Sequence, residues 1–195
     1  MKAIQSFSLG RWIMHTSIGF ALGIVILVLF AGILESFEID VLFPLAAGLG
    51  LGIGGMQWLL LKNYFEEAAK WIWLLIVGLT IPFLFYDLTT SYLKLEEWFF
   101  LVLWVFGGLL SGYLQYRFYL NSRVEKAKLW VGYSFAGWLF CALLVSIVFV
   151  PMIQSWGRNT QMVLNSIAIF GCGPLLGVIT GIGILSIIGK TKYVF

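Results

Sequence analysis

The sequence predicts an all-α integral membrane protein, a bundle of six transmembrane helices arranged as three pseudo-repeated helical hairpins. Hydrophobic residues make up 61% of the 195 residues and charged residues only 11%, whereas a soluble domain carries about 25% charged residues. Six apolar runs approach the roughly 20 residues that a helix needs to cross the hydrocarbon of a bilayer. Tryptophan and glycine motifs recur along these runs at even spacing. A single transmembrane domain over residues 1–195 is therefore expected, with no room for a soluble domain.

Charged residues and prolines set the limits of the six predicted spans. The acidic turn that begins at Glu35 ends the first span, and Pro151 is expected to stop the fifth. Pro82 predicts a kink near the end of the third span, and the segment before Pro174 predicts a bend in the sixth. The spans are expected over about 12–34, 41–61, 71–86, 98–116, 129–150 and 162–188.

Basic residues are concentrated on one side of the predicted membrane. The opposite side holds only two, Lys94 and Arg158, together with most of the acidic residues. Because short cytoplasmic loops are enriched in Lys and Arg, both termini are predicted to be cytoplasmic. The ten basic residues on the cytoplasmic side are Lys2, Arg11, Lys62, Lys70, Arg117, Arg123, Lys126, Lys128, Lys190 and Lys192.

Three tryptophans mark the starts of the odd-numbered spans. Trp12, Trp71 and Trp130 are separated by 59 residues each, and each is followed seven residues later by a glycine. The even-numbered spans carry a Gly-x3-Gly motif that is followed by Gln57, Gln115 or, in the third and degenerate copy, Thr180. Such recurrence is typical of internal duplication. The motif glycines are Gly50 and Gly54, Gly108 and Gly112, and Gly173 and Gly177.

The repeat predicts which spans form pairs. Spans two and three form one hairpin, spans four and five another, and span six pairs with span one, so that the third hairpin is split between the chain ends. A pseudo-threefold bundle with the glycine faces of the even spans turned inward is the simplest arrangement. Apolar side chains gain little by leaving lipid for protein, so membrane helices associate through close backbone contact, which glycine permits.

The motif Gln57-Trp58-Leu59-Leu60-Leu61-Lys62 resembles a group of uncharacterised bacterial polytopic membrane proteins. These proteins carry repeated Gly-x3-Gly-x2-Gln-Trp-Leu-x-Leu-basic segments, each followed by Trp-x6-Gly. The segment from Gln115 to Phe118 is a looser match, and Thr180 departs from the pattern. The resemblance implies the same architecture in a bacterial cytoplasmic (inner) membrane, and it transfers no active site because the group has no established activity.

The polar residues near the cytoplasmic ends of the even spans have two interpretations. Gln57, Gln115 and Thr180 could ring a solute pathway or hold a ligand head group. Alternatively, each could form an interhelical hydrogen bond, a packing device worth about 0.6–2 kcal/mol in membranes.

Aromatic and basic residues near the same ends also admit two interpretations. Trp12, Trp71 and Trp130 could stack on a cofactor, but their positions just after basic residues favour an interfacial aromatic belt. A basic cluster in the loop after span four could contact anionic lipid or could only enforce the topology. Its members are Arg117, Arg123, Lys126 and Lys128.

No catalytic, metal or cofactor site is predicted. No Asp, Glu, Lys or Arg lies in the middle of a span, where proton-coupled carriers and intramembrane enzymes place such groups. His15 could ligate a haem-type metal, but an interfacial histidine bonded to a carbonyl or to water is the simpler interpretation. Cys141 and Cys172 lie inside apolar runs and are expected to pack as small apolar residues.

The sequence favours a non-enzymatic accessory or scaffolding subunit of a membrane complex, with membrane lipids and another membrane protein or a second copy as partners, and no nucleic acid. The alternative is a small-solute transporter or a substrate-binding membrane subunit. A pigment- or lipid-binding subunit is a third possibility. A cavity or aqueous path reaching Gln57, Gln115 and Thr180 would favour transport, and a closed, glycine-packed axis would favour a scaffold.

Overall fold

A computed structural model describes residues 7–39, 41–90, 99–152 and 158–188, with side chains described over 7–39, 41–89, 99–146 and 170–188. Within these ranges the helices are joined by turns and short loops and no strand occurs, as the sequence predicts, and six helices are long and apolar enough to cross a membrane. Several charged residues used in the topology prediction lie outside the described residues. These are Lys2, Asp40, Lys94, Glu96, Glu97, Lys190 and Lys192.

Six α-helices and one π-helical turn make up the bundle. Several bounds differ from the expected spans, and α6 continues without a break through Pro174. The helices are α1 Leu9–Ser36, α2 Phe43–Leu61, α3 Lys70–Thr90, α4 Phe99–Gln115, a π-helix Tyr116–Leu120, α5 Leu129–Met152 and α6 Arg158–Ile188.

Helix α3 is longer than its sequence suggests. It continues through Pro82 to Thr90, beyond the expected end at Tyr86. The extension brings Asp87, expected in a loop, to the beginning of α2, where its carboxylate oxygen Oδ2 accepts hydrogen bonds of 2.8 Å from the backbone N–H groups of Leu42 and Phe43. The first N–H groups of a helix lack intrahelical acceptors, so this carboxylate from a neighbouring helix caps α2.

The helices form a closed ring in chain order. Each helix packs against the next one, and α6 packs against α1, so that the two chain ends complete the ring. The beginnings of the odd helices and the ends of the even helices meet in one core cluster, which includes Trp12, Leu61, Trp71, Leu120 and Ile184. The two short basic loops and the two described chain ends therefore lie at the same end of the bundle.

The motif glycines lie between neighbouring helices of the ring. A Cβ atom added at Gly54 would lie 3.1 Å from the Cα of Ile72 in α3, and one added at Gly177 would lie 2.9 Å from the Cα of Ile13 in α1. Each even helix thus presents its pair of glycines to the odd helix of its expected hairpin. The contacts are Gly50 and Gly54 with α3, Gly108 and Gly112 with α5, and Gly173 and Gly177 with α1.

The glycine after each tryptophan packs on the other side of its helix. Gly19 faces α2, Gly78 faces Ser111 in α4, and Gly137 faces Leu176 in α6. Glycine therefore lies at all six helix–helix contacts of the ring. The expectation that the glycine faces meet on a shared central axis is not met, because the glycines face their neighbours around the ring and large side chains fill the interior.

Substitution of adjacent glycines in α2 tests this close packing. A leucine at Gly54 meets the backbone of α3, whereas a Cβ atom at Gly55 has no neighbour within 4 Å. We expect Gly54→Leu to destabilise the protein by about 1–3 kcal/mol, which is the usual cost of overpacking. Gly55→Leu should leave the melting temperature in detergent within a few degrees of the wild type. Equal losses in the two variants would contradict the assigned packing.

Candidate functional site

Three tryptophans meet inside the ring at the end that carries the basic loops. The ring centroids of Trp12 and Trp71 are 6.4 Å apart, those of Trp12 and Trp130 are 6.2 Å apart, and those of Trp71 and Trp130 are 5.0 Å apart. Their exposed fractions are 0%, 0% and 2%, in the order Trp12, Trp71, Trp130. The interpretation of these residues as a membrane-facing aromatic belt is therefore wrong, because they contact one another and have no surface left for lipid.

Each indole N–H donates a hydrogen bond to the even helix of the same hairpin. The Nε1 atom of Trp71 lies 2.8 Å from Oε1 of Gln57, and that of Trp130 lies 2.8 Å from Oε1 of Gln115. In the hairpin formed by the chain ends, Nε1 of Trp12 lies 3.0 Å from Oγ1 of Thr180. The three predicted polar positions and the three predicted tryptophans thus form three equivalent pairs.

These pairs satisfy groups that would otherwise be costly to bury. An indole has one N–H donor and no acceptor, so it requires an oxygen partner inside the protein. A buried polar group without a partner costs about 1–3 kcal/mol. The amide of Gln57 makes a second bond as well, from Nε2 to Oγ1 of Thr16 at 3.2 Å, and so connects three helices, α1, α2 and α3.

The π-helix at the end of α4 accommodates one extra residue in the second hairpin. Gln57 and Trp71 are 14 residues apart, whereas Gln115 and Trp130 are 15 residues apart. A π-helical turn is the usual way for a helix to absorb a single inserted residue. The turn at Tyr116–Leu120 follows Gln115 directly. Both hairpins therefore form the amide–indole hydrogen bond with the same length of 2.8 Å.

Very little space remains beside the three pairs. A void of about 10 Å³ lies between Gln57, Gln115 and Thr180, which is close to the smallest volume that holds one water molecule, about 10–15 Å³. Ligand pockets are typically about 300–1,000 Å³. The rest of its lining is Ile53, Leu75, Trp130, Ser134, Trp138 and Leu176.

The four residues of the basic cluster differ in their surroundings: one arginine forms an ion pair, and the other three side chains are exposed. Nη2 of Arg123 lies 3.1 Å from Oε2 of Glu67, and its Nη1 donates to the carbonyl of Tyr119 at 2.9 Å. Arg123 thus connects the two basic loops. Arg117 is exposed beside Phe118, with its guanidinium 5.9 Å from the ring centroid. Lys126 and Lys128 are exposed.

The remaining candidate residues have ordinary partners. Nδ1 of the half-buried His15 lies 2.8 Å from the carbonyl of Arg11 in its own helix. Cys141 and Cys172 are buried free thiols that face each other between α5 and α6, with Sγ of Cys141 3.4 Å from the carbonyl of Cys172. The side chains described by the structure contain no cluster of metal-ligating residues.

Two contributors to the site were missed at the sequence level. Thr16 lies four residues after Trp12 and binds the amide of Gln57. Tyr119 is buried in the same core cluster, where its ring centroid lies 5.8 Å from that of Trp71 and its hydroxyl donates to the carbonyl of Glu66. A residue four positions after a tryptophan lies on the same face of the helix as that tryptophan. The even spacing of the tryptophans could therefore have identified Thr16 as a residue that faces the interior.

Comparison with known protein families, with curated proteins and with solved structures finds no match to this chain.

Two tryptophans in α3 allow a controlled test of the amide–indole pair. Trp71→Phe removes the donor to Gln57 and leaves its buried Oε1 atom without a partner, so we expect a loss of about 1–3 kcal/mol. Trp73→Phe changes a side chain that is 66% exposed and should have little effect. Thermal unfolding in one detergent compares the two variants. A Trp71→Phe protein as stable as Trp73→Phe would show that the hydrogen bond contributes nothing.

The loop ion pairs predict a pH dependence of stability. The hydrogen bond and charge of Lys70, and then those of Arg123, hold the pKa of Glu67 below its ordinary value of 4.5. A carboxyl group with a lowered pKa in the folded state stabilises the protein above its unfolded-state pKa, and that contribution is lost as the pH falls through the folded-state value. The wild type should therefore melt above Glu67→Gln at pH 7, and the difference should shrink below about pH 4.5.

Glu66→Gln is the matched control for this measurement. Glu66 contributes its backbone carbonyl to Tyr119, and this bond does not depend on the side-chain charge. A pH-dependent difference of the same size in Glu66→Gln would mean that the Glu67 ion pairs are not its source.

Proposed function

We propose that the protein is a non-enzymatic accessory or scaffolding subunit of a membrane complex, located in the bacterial inner membrane with both termini in the cytoplasm. The observation that carries this proposal is the filled interior of the ring. Three tryptophans and their hydrogen-bond partners fill the interior at the end that carries the basic loops, and a second core cluster of large side chains fills the interior beyond them. A void of about 10 Å³ remains between the polar side chains.

The filled interior favours a scaffold over the alternative of a small-solute transporter. A transporter binds its solute near the middle of the membrane between repeated helices. Here two of the three polar side chains that could line such a site have partners inside the protein for their side-chain groups, because Gln57 binds Trp71 and Thr16, and Thr180 binds Trp12. The third, Gln115, binds Trp130 through its amide oxygen. Hydrogen bonds that fix helices to one another suit a rigid structural unit.

We infer that the three hairpins are repeats of one unit joined by Gly-x3-Gly packing. The equivalent contacts of the glycine pairs with the following odd helix, including those between α6 and α1, support this inference. So does the recurrence of one polar–indole pair in each hairpin. Since each unit alone leaves one flank of each helix uncovered, three units are needed to close the ring.

A scaffold acts through its outer surface, and the three repeats differ there. The residue two positions after each tryptophan is Met14, Trp73 or Gly132. Met14 and Trp73 are exposed, and a Cβ atom at Gly132 would have no neighbour within 4 Å. A partner can therefore distinguish one side of the pseudo-threefold ring from the others. The same proposal assigns the exposed Lys126 and Lys128 to anionic head groups, which attract basic loops beside the membrane.

The proposal can be tested by site-specific photo-crosslinking in native membranes. A photoreactive amino acid is placed at Met14, Trp73 or Gly132, three equivalent positions on the three repeats. A scaffold should give a protein adduct of defined mass from one of these sides and lipid adducts from the others. Native mass spectrometry of the same membranes should report a complex of fixed stoichiometry. Lipid adducts at all three positions, together with monomers alone in several detergents, would contradict the proposal.

A further inference from the structure

One buried amide in the interior has an unused hydrogen-bond donor. Gln115 is 1% exposed, and its Oε1 atom accepts a hydrogen bond of 2.8 Å from Nε1 of Trp130. Because the indole can only donate, the oxygen of the amide must face Trp130 and the NH₂ group must face away from it. The Nε2 atom of Gln115 has no hydrogen-bond partner among the described residues.

Comparison with the first hairpin explains why this donor has no partner. The equivalent Nε2 atom of Gln57 donates to Thr16, which lies four residues after Trp12 in the preceding odd helix. For Gln115 the preceding odd helix is α3, and the residue four positions after Trp71 is Leu75. A leucine has no acceptor. The second hairpin therefore has the equivalent amide, that of Gln115, but no side-chain acceptor for its NH₂ group at the position of Leu75.

The void of about 10 Å³ lies beside the amide of Gln115. Its lining includes Gln115 and Leu75 together with two hydroxyl groups, those of Ser134 and Thr180. Oγ of Ser134 donates to the carbonyl of Gly108 at 2.9 Å, and Oγ1 of Thr180 donates to the carbonyl of Leu176 at 2.6 Å. Both hydroxyl protons are thus committed. Oγ1 of Thr180 also accepts the indole N–H of Trp12, so one lone pair remains on that oxygen, and lone pairs remain on Oγ of Ser134, as acceptors.

We infer that a single water molecule is bound at this site as a fixed part of the bundle. It accepts a hydrogen bond from Nε2 of Gln115 and donates to the hydroxyl oxygens of Ser134 and Thr180. Buried waters typically make about three hydrogen bonds to groups that would otherwise be unsatisfied, and the void is close to the size of one water molecule. The inference does not depend on the proposed role of the protein as a scaffold.

The water connects the second and third hairpins. Gln115 belongs to α4, Ser134 to α5 and Thr180 to α6, so a molecule bound to all three holds α4, α5 and α6 together. Thr16 does the corresponding work directly between the third hairpin and the first, where it joins α1 to α2. The water therefore takes the place of the hydroxyl group that a threonine, like Thr16, would supply at the position of Leu75.

A crystal structure of the protein in a lipid phase, at a resolution that shows ordered waters, tests the inference directly. The wild type should show one isolated peak within about 2.7–3.2 Å of Nε2 of Gln115. Leu75→Thr supplies a hydroxyl in the manner of Thr16 and should lose the peak, whereas Leu79→Thr, one turn further along α3, should retain it. No peak in the wild type, a rotated Gln115 amide with another acceptor, or an elongated density from a larger ligand would each overturn the inference.

Thermal unfolding of the same two variants keeps the test decisive if the variants do not crystallise. Both replace a buried leucine of the same core cluster by threonine, and only Leu75→Thr offers an acceptor to an unused donor. Leu75→Thr should melt several degrees above Leu79→Thr. Equal melting temperatures, or a lower value for Leu75→Thr, would count against the site. If neither variant folds, the wild-type crystal structure alone decides.

Discussion

Close backbone contact between neighbouring helices is the constraint on which the rest of this structure depends. Lipid tails are as apolar as leucine side chains, so helices in a bilayer gain little from burying apolar surface against each other. Glycine at every contact of the ring allows backbones to approach until carbonyl and Cα atoms touch, as where Gly19 lies against the backbone at Gly52 and Ile53. Dispersion contacts then accumulate over the length of each helix pair.

The polar pairs add specificity to this close packing. An amide or hydroxyl of one helix can meet the indole of the next only when the two helices have the correct height and rotation. Gln57 with Trp71, Gln115 with Trp130, and Thr180 with Trp12 set that register in all three hairpins. The same bonds hold the three indole rings in the interior at the end that carries the basic loops, and a second core cluster continues the packing beyond them.

Much of the architecture could be predicted from spacing alone. Runs of apolar residues predicted six helices, and the recurring glycine motifs predicted how the spans pair. Both patterns can be read from one sequence without an alignment. The orientation of the tryptophans could not be predicted. Their position after basic residues locates them at one end of each helix, but a tryptophan there can face lipid or the interior, and Trp12 and Trp73 show both outcomes. That choice depends on acceptors supplied by other helices.

Other features of the site are visible in the sequence, but their structural role cannot be predicted without knowing which residues lie beside them. The extra residue between Gln115 and Trp130 is visible in the spacing, but only the structure shows that a π-helical turn absorbs it. Thr16, Leu75 and Ser134 each lie four residues after one of the three tryptophans, and the effect of their different side chains depends on the groups that other helices place beside them. The last turns of α3 place Asp87 where it caps a different helix, a long-range contact that no local pattern indicates.

Closure of the ring by the two chain ends is the central claim, and an engineered disulfide between α1 and α6 tests it most directly. A Cβ atom at Gly177 would lie 3.3 Å from the Cβ of Thr16, near the separation of about 3.5–4.5 Å found in disulfides. With Cys141 and Cys172 replaced by alanine, Thr16→Cys with Gly177→Cys should form an intramolecular crosslink in membranes, detected as two fragments that stay joined after cleavage between α3 and α4. Met14→Cys with Gly177→Cys, whose first cysteine faces outward, should not. Absence of the crosslink in the first pair, or equal crosslinking in both, would contradict the closed ring.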